Sequence, residues 1–253
     1  MRLTILGSGT ATPSGRRASS GYWLDAGDAR LRLDCGAGTV HAMARWGLPW
    51  EALTHQWVSH FHVDHAGELP ALLFALKHGR RAPRTAPLAL VGPAGLRALL
   101  DGLATAFGAR LLEQEFPVEL RELAPGEALA LGGGATLRAA RTPHTAESLA
   151  VRVEAGGRAV AYTGDTAAPG PELAAFFAGA DVLLAECAFL DDPGGTPHLA
   201  ADALAALAAA ARVGHLVATH CTFDPEAAGL AARLARGFSG RITVARDGDA
   251  VEC

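Results

Sequence analysis

At 253 residues the chain sits at the upper edge of what one hydrophobic core fills, so a single domain spanning 1–253 is expected. Half the residues are apolar and 19% are charged, which excludes a disordered or fibrous chain, and 30 glycines and 14 prolines without a fixed period signal tight turns. A net charge of −4 excludes a general electrostatic pull on nucleic acid or anionic lipid.

The first residues lack the long apolar core and cleavage site of a signal peptide. Short β-type runs follow at 2–6, 22–25, 31–34, 56–59 and 88–91, then at 136–140, 149–154, 159–163, 182–186, 216–219 and 242–245. Several are continuous apolar runs flanked by Gly or Pro, as in strands covered on both faces. Helical patterns lie between them. Residues 67–77 carry apolar positions at 69, 72, 73 and 76, and 93–107 and 171–177 each begin with Pro. Residues 199–211 are Ala-rich, and a last helix is expected with Asp224 as N-cap, Pro225 at N1 and Gly237 beyond its end. Residues 77–87 read as a basic loop. No apolar run is long enough to span a membrane. Cys35, Cys187, Cys221 and Cys253 are too scattered for a disulfide framework, so a reduced, cytoplasmic setting is expected.

The chemistry concentrates in residues 59–67, SHFHVDHAG. At the end of an extended run, His60 and His62 stand two apart and point to the same side. The following helix swings Asp64 and His65 back toward the same point. Three imidazoles and a carboxylate in six residues suit Zn²⁺ or a similar borderline metal. Four such groups cannot close on one tetrahedral ion without strain, but two adjacent ions can share them. Singly, each reads as an ordinary polar turn residue; the set points to metal. Further ligands are expected where strands run into Gly- or Thr-containing loops, at His144, Asp165 and His220. A lone His after a strand is more often a polar loop residue, but three such positions beside this motif reverse that expectation.

Together, LDCGAG at 33–38, HFHVDH at 60–65, His144, TGDT at 163–166 and ATH at 218–220 resemble the metallo-β-lactamase superfamily, in that family's order and over nearly the whole chain. The resemblance implies the α/β class: a four-layer αββα sandwich, two mixed sheets flanked by helices, with a dinuclear metal centre along one edge. It implies His60, His62 and His144 on one ion, Asp64, His65 and His220 on the other, and Asp165 bridging them. Asp34 would hold ligand histidines by their remaining N–H. Two divalent ions, zinc first with Mn²⁺, Fe²⁺ or Co²⁺ also suited to these donors, would trap a bridging hydroxide as nucleophile. Asp64 then counts as catalytic as well as metal-binding.

Within the superfamily, the opening LGSGTATPSGRRASS, the stretch after the metal motif and LLAECAF at 183–189 resemble the ribonuclease Z group. That likeness implies Glu186 working with His198. A carboxylate beside an imidazole keeps it protonated near neutral pH, ready to protonate a leaving alkoxide. Without the resemblance, Glu186 reads as a strand-end ion pair and His198 as an exposed helix-terminal residue. Two features depart from the group. Its usual members insert a tRNA-gripping arm between the third ligand and the bridging Asp, but here His144 and Asp165 are only 21 positions apart. The chain is also acidic, with Lys77, His78, Arg80, Arg81 and Arg84 as its one basic stretch. A phosphodiesterase acting on small diesters or short single-stranded nucleic acid is therefore expected, and folded tRNA is not favoured. A homodimer is implied by analogy. The same metal centre also suits an arylsulfatase, lactonase or thioesterase, and a non-catalytic metal-binding protein is the reading from a different class. Cys35, Cys187 and Cys221 are expected in the core, and His41, His55, His78 and His215 as solvated or capping residues.

Overall fold

Alternating side chains divide the chain into two sheets with separate helical covers. The computed structural model describes residues 1–167 and 169–253. Its first half supplies β1 (Arg2–Gly7), β2 (Gly21–Ala26), β3 (Ala29–Leu33), β4 (His55–Trp57), β5 (Leu88–Pro93) and β6 (Val118–Leu123). The second supplies β7 (Ala128–Gly132), β8 (Ala135–Arg141), β9 (Leu149–Ala155), β10 (Arg158–Tyr162), β11 (Val182–Glu186), β12 (His215–Thr219), β13 (Arg241–Val244) and β14 (Ala250–Glu252). The α-helices among the described residues are α1 (Thr39–Arg45), α2 (Val63–Ala66), α3 (Leu69–His78), α4 (Leu96–Phe107), α5 (Pro171–Phe176), α6 (Ala201–Ala210) and α7 (Leu230–Leu234). Two seven-stranded mixed sheets form, in the orders β14-β1-β2-β3-β4-β5-β6 and β13-β12-β11-β10-β9-β8-β7.

The sheets pack face to face. Leu3, Leu24, Leu31, Leu33 and Trp57 meet Leu137, Val151, Val153, Val160 and Leu184 in one buried cluster. Burying each such aliphatic side chain contributes about 1.5–3 kcal/mol. A second cluster joins the outer face of the β11–β12 sheet to α5, α6 and α7, and a third joins the other sheet to α1, α3 and α4. This is the αββα layering that the sequence resemblance implies. Within β3 the alternation places Leu31 and Leu33 between the sheets and turns Arg32 to the helical side, where its Nε donates to Gln56 Oε1. The strand pairs β3–β4, β4–β5 and β5–β6 are parallel, as are β10–β11, β11–β12 and β12–β13. Their carboxyl ends collect the loops at one edge of the sandwich.

Several local expectations need correction. Pro93 ends β5 rather than starting a helix, and α4 begins at Leu96 after Gly95 at φ +101°. The last helix is only Leu230–Leu234; Asp224 Oδ1 does accept the amides of Glu226 and Ala227, but Gly229 at φ +69° separates that turn from α7. Strands β6, β7 and β14 and helix α1 were not anticipated. The 77–87 stretch is less free than its charge suggests. Lys77 and His78 close α3, and Arg84 is buried, donating to the carbonyls of Glu51, Leu53, Ala86 and Pro87. Arg80 pairs with Glu115 at 2.8 Å. His215 is buried against Thr243 Oγ1 rather than solvated. Cys35, Cys187 and Cys221 are buried free thiols, as expected. No helix among the described residues is long and apolar enough to cross a membrane.

Candidate metal centre

Five strand ends deliver the site. After β4 the chain runs through Ser59 to His60 and His62, and the single turn α2 then returns Asp64 and His65 toward them. His144 follows β8, Asp165 follows β10 and His220 follows β12, while Asp34 directly follows β3. The step from β10 to Asp165 requires Gly164 at φ +58°, where an added Cβ would sit 2.9 Å from the Cβ of Ser59. Asp34 (φ 59°) and His220 (φ 57°) are two of the three non-glycine residues in the left-handed region among those described. Such backbone is costly and tends to persist where function fixes a side chain.

The imidazoles converge with their nitrogens inward. His60 Nε2 lies 3.0 Å from His62 Nδ1, which lies 3.2 Å from His144 Nε2. Nitrogens bound at about 2.0–2.1 Å to one tetrahedral cation stand about 3.4 Å apart, so the spacing matches a shared ion. Asp165 Oδ2 is 3.3 Å from His65 Nε2, 3.5 Å from His220 Nε2, 3.7 Å from His144 Nε2 and 3.8 Å from His60 Nε2. Asp64 Oδ2 is 3.7 Å from His65 Nε2 and 3.9 Å from His220 Nε2. The donor atoms fall into the groups His60, His62, His144 and Asp165, then Asp64, His65 and His220, each within 4.8 Å. Asp165, His198 and His220 make a third such group, although His198 turns its Nδ1 to Glu186.

On four of the five rings the outward nitrogen is hydrogen-bonded. His65 Nδ1 donates to Asp34 Oδ2 at 2.7 Å, His60 Nδ1 to Ser59 Oγ at 3.0 Å, His220 Nδ1 to Ser20 Oγ at 2.8 Å, and His144 Nδ1 to the Pro197 carbonyl at 3.0 Å. Those bonds fix the tautomers and leave Nε2 lone pairs facing the centre. Asp34 is itself held by Ser59 N–H, Ser59 Oγ and Tyr162 OH at 2.6–2.8 Å. His65 Nε2 and Asp165 Oδ1 are buried without hydrogen-bond partners. Burial lowers the pKa of His60, His144 and His220, keeping those rings in the neutral form that cations require. Burial also opposes the charge on Asp165, but the imidazoles of His220, His65 and His60 outweigh it and hold its carboxyl well below the usual carboxylate range. Against burial, Asp165 and Asp34 hold the pKa of His65 well above the usual imidazole range, so a cation there would displace its proton. The orphaned His65 Nε2 and Asp165 Oδ1, the neutral rings of His60, His144 and His220 and the ionised Asp165 together fit divalent cations.

Beside this cluster, Glu186 faces His198 Nδ1 at 3.0 and 3.2 Å and accepts the Thr166 amide at 2.7 Å. Burial pushes the Glu186 carboxyl up to about 7 against the pull of His198. Burial works against charge on His198 too, yet hydrogen bonding to Glu186 and the charges of Glu186 and Asp165 leave its pKa raised. The pair therefore holds a proton near neutral pH. His198 is half-buried in this pair, rather than an exposed helix-terminal residue.

All nine sequence-selected catalytic and metal positions meet at one edge, with Asp34 behind them. The sequence reading missed Ser20, Tyr162 and the Pro197 carbonyl. Ser59 was visible only as the neighbour of His60. Ser20 and Tyr162 carry no local signal, because their partners lie 200 and 128 positions away.

A sequence model of the β-lactamase superfamily domain matches residues 30–221. A ribonuclease Z of Mycobacterium bovis is 30% identical over 276 aligned positions, covering all of this chain and 98% of that protein. The metallo-β-lactamase fold protein YhfI of Bacillus subtilis superposes with a TM-score of 0.83 at 25% identity, covering 99% of both chains. The short form of human tRNase Z gives a TM-score of 0.81 at 24% identity over 100% of this chain and 99% of its own.

Proposed function

The chain belongs to the β-lactamase superfamily, in its ribonuclease Z-like branch, and from that membership we propose that it is a phosphodiesterase built on two divalent cations, zinc first among them. In this reading His60, His62 and His144 hold one cation, Asp64, His65 and His220 the other, and Asp165 stands between. The whole chain acts as one hydrolase domain in a cytoplasmic setting, which its four free thiols support. The observation that carries the reading is the inward convergence of five imidazoles around Asp165 Oδ2, four of them within 3.3–3.8 Å.

Bound divalent cations supply Lewis acidity, lowering the pKa of water and neutralising charge that builds on phosphate oxygens. This chain's own groups do the rest. Asp34 orients His65 directly and His60 through Ser59. His198, kept protonated by Glu186, delivers a proton to the leaving oxygen. Small phosphodiesters and short single strands suit the site better than folded tRNA. β9 and β10 pair from Arg158–Ala155 onward through a turn of Gly156 and Gly157, leaving no arm between His144 and Asp165. Nothing in the site favours the other ester classes, and the intact Glu186–His198 pair speaks against a non-catalytic metal binder. Exposed Val63, Phe74 and Phe107 support the homodimer expected by analogy.

Elemental analysis of the reconstituted protein should give two divalent ions per chain, with hydrolysis of bis-p-nitrophenyl phosphate lost on chelation and in Asp64→Ala. Metal content below one per chain after reconstitution overturns the reading.

A further inference from the structure

A cleft of about 1010 Å³ opens from His144, bounded by Arg138 and Arg141 of β8 and by Glu172 and Phe176 of α5. His144 contributes to its wall while its imidazole, 2% exposed, turns to the metal cluster, so whatever occupies the cleft adjoins the loop that carries this ligand.

The charges in this cleft are arranged in an unusual way. Arg138 lies directly across the sheet from Arg152. Like charges at opposed sheet positions are destabilising. Arg152 is engaged elsewhere, donating to Glu154 Oε1 at 2.8 Å and to the Ala178 carbonyl at 3.1 Å. Arg141 donates to the Ala146 carbonyl and so belongs to the turn that carries His144. Arg138 is exposed and makes no side-chain hydrogen bond or ion pair among the described residues. Two guanidinium groups thus face the cleft against one carboxylate, Glu172, in a chain that is acidic overall. Glu154 compensates Arg152 but not Arg138, and an anion on Arg138 would supply its missing partner. A guanidinium offers a planar fork matched to phosphate oxygens. Half-buried Phe176 in the same cleft offers a ring against which a base can stack, the combination that single-stranded nucleic acid uses.

We propose that this cleft holds the single strand adjoining the scissile linkage, with a neighbouring phosphate on Arg138 and a base against Phe176. The inference rests on the phosphodiesterase reading and narrows its substrate to oligonucleotides carrying at least one phosphate beyond the one cleaved.

The test is binding, read without turnover. The full chain in chelator is titrated into fluorescein-labelled hexauridylate RNA and followed by anisotropy. Arg138→Ala should raise Kd about tenfold and lower the slope of log Kd against log salt by about 0.7, the release expected for one phosphate contact on a single strand. Arg97→Ala, which removes the same charge from exposed α4, should change Kd less than about twofold. An unchanged Kd in Arg138→Ala, equal weakening in Arg97→Ala, or no binding by the wild type overturns the inference. Hydrolysis of bis-p-nitrophenyl phosphate by the metal-loaded wild type is measured alongside. Its absence removes the phosphodiesterase reading, whereas its presence with an Arg138-independent Kd removes the cleft assignment alone.

Discussion

Replacing His198 with Ala separates proton donation from every other role in the site. Its Nδ1 is fixed by both oxygens of Glu186 at 3.0 and 3.2 Å, and Glu186 is buried and anchored by the Thr166 amide. A positioned general acid contributes about 10²–10⁴-fold, which is about 2.7–5.4 kcal/mol of barrier at 1.36 kcal/mol per decade. That contribution is realised only when the leaving oxygen needs a proton. An RNA linkage departs as a strongly basic alkoxide, whereas p-nitrophenolate departs unaided. His198→Ala should therefore lower kcat on a short RNA by about 10²–10⁴ and on bis-p-nitrophenyl phosphate by less than about tenfold. The protonated imidazole is the active form, so the rate on RNA should fall as pH rises through the raised pKa of His198. Glu186→Gln removes the main cause of that elevation and should move the basic limb down toward about 6.5. Equal losses on both substrates would refute proton donation, and an unmoved limb in Glu186→Gln would refute the pairing.

Asp34→Asn turns an acceptor of four hydrogen bonds into a group that also presents N–H to buried donors. Urea unfolding of the metal-free chain should show a loss of about 2–4 kcal/mol, and a loss under about 1 kcal/mol would contradict the buried network. Burial opposes charge on Glu226, but Arg246 and Arg17 depress its pKa to about 2. A depressed carboxylate contributes stability above its unfolded pKa, near 4.3, and loses it as pH falls toward 2. The wild-type urea midpoint should accordingly fall more steeply over that window than that of Glu226→Gln; parallel curves would deny the ion pairs any role. Gly36→Ala places a Cβ 2.1 Å from the Asp64 carbonyl oxygen. It should displace α2 and lower metal content, so full metal loading in this variant would show that the loop yields instead.

The strands were legible because the sandwich covers most of them on both faces, leaving continuous apolar runs such as residues 182–185. β6 escaped notice because it is an edge strand, VELREL, whose charged residues look outward. The cap signal at Asp224 and Pro225 is real chemistry, but Gly229 ends that turn before a helix can propagate. Pro93 was misread because its ring suits a first helical turn as well as the end of a strand, and only pairing with Leu123 decides between them. The site's inner donors could be found by residue type and strand-end position. The hydroxyls that aim them could not, since Ser20 looks like any loop residue and Tyr162 like any strand residue until the sheets are docked.

Those hydroxyls also stitch the sandwich together. Tyr162 reaches from the second sheet to Asp34 on the first, Tyr22 crosses the other way to Thr219, and Ser20 reaches over to His220. The inward donors are divided likewise, with 60–65 hanging from one sheet and 144, 165 and 220 from the other. The donor spacings thus act as a gauge of how the two halves are seated. A void opened deep in the shared interior, at Val151 or Leu137, would slide one slab over its mate and detune the cluster from a distance.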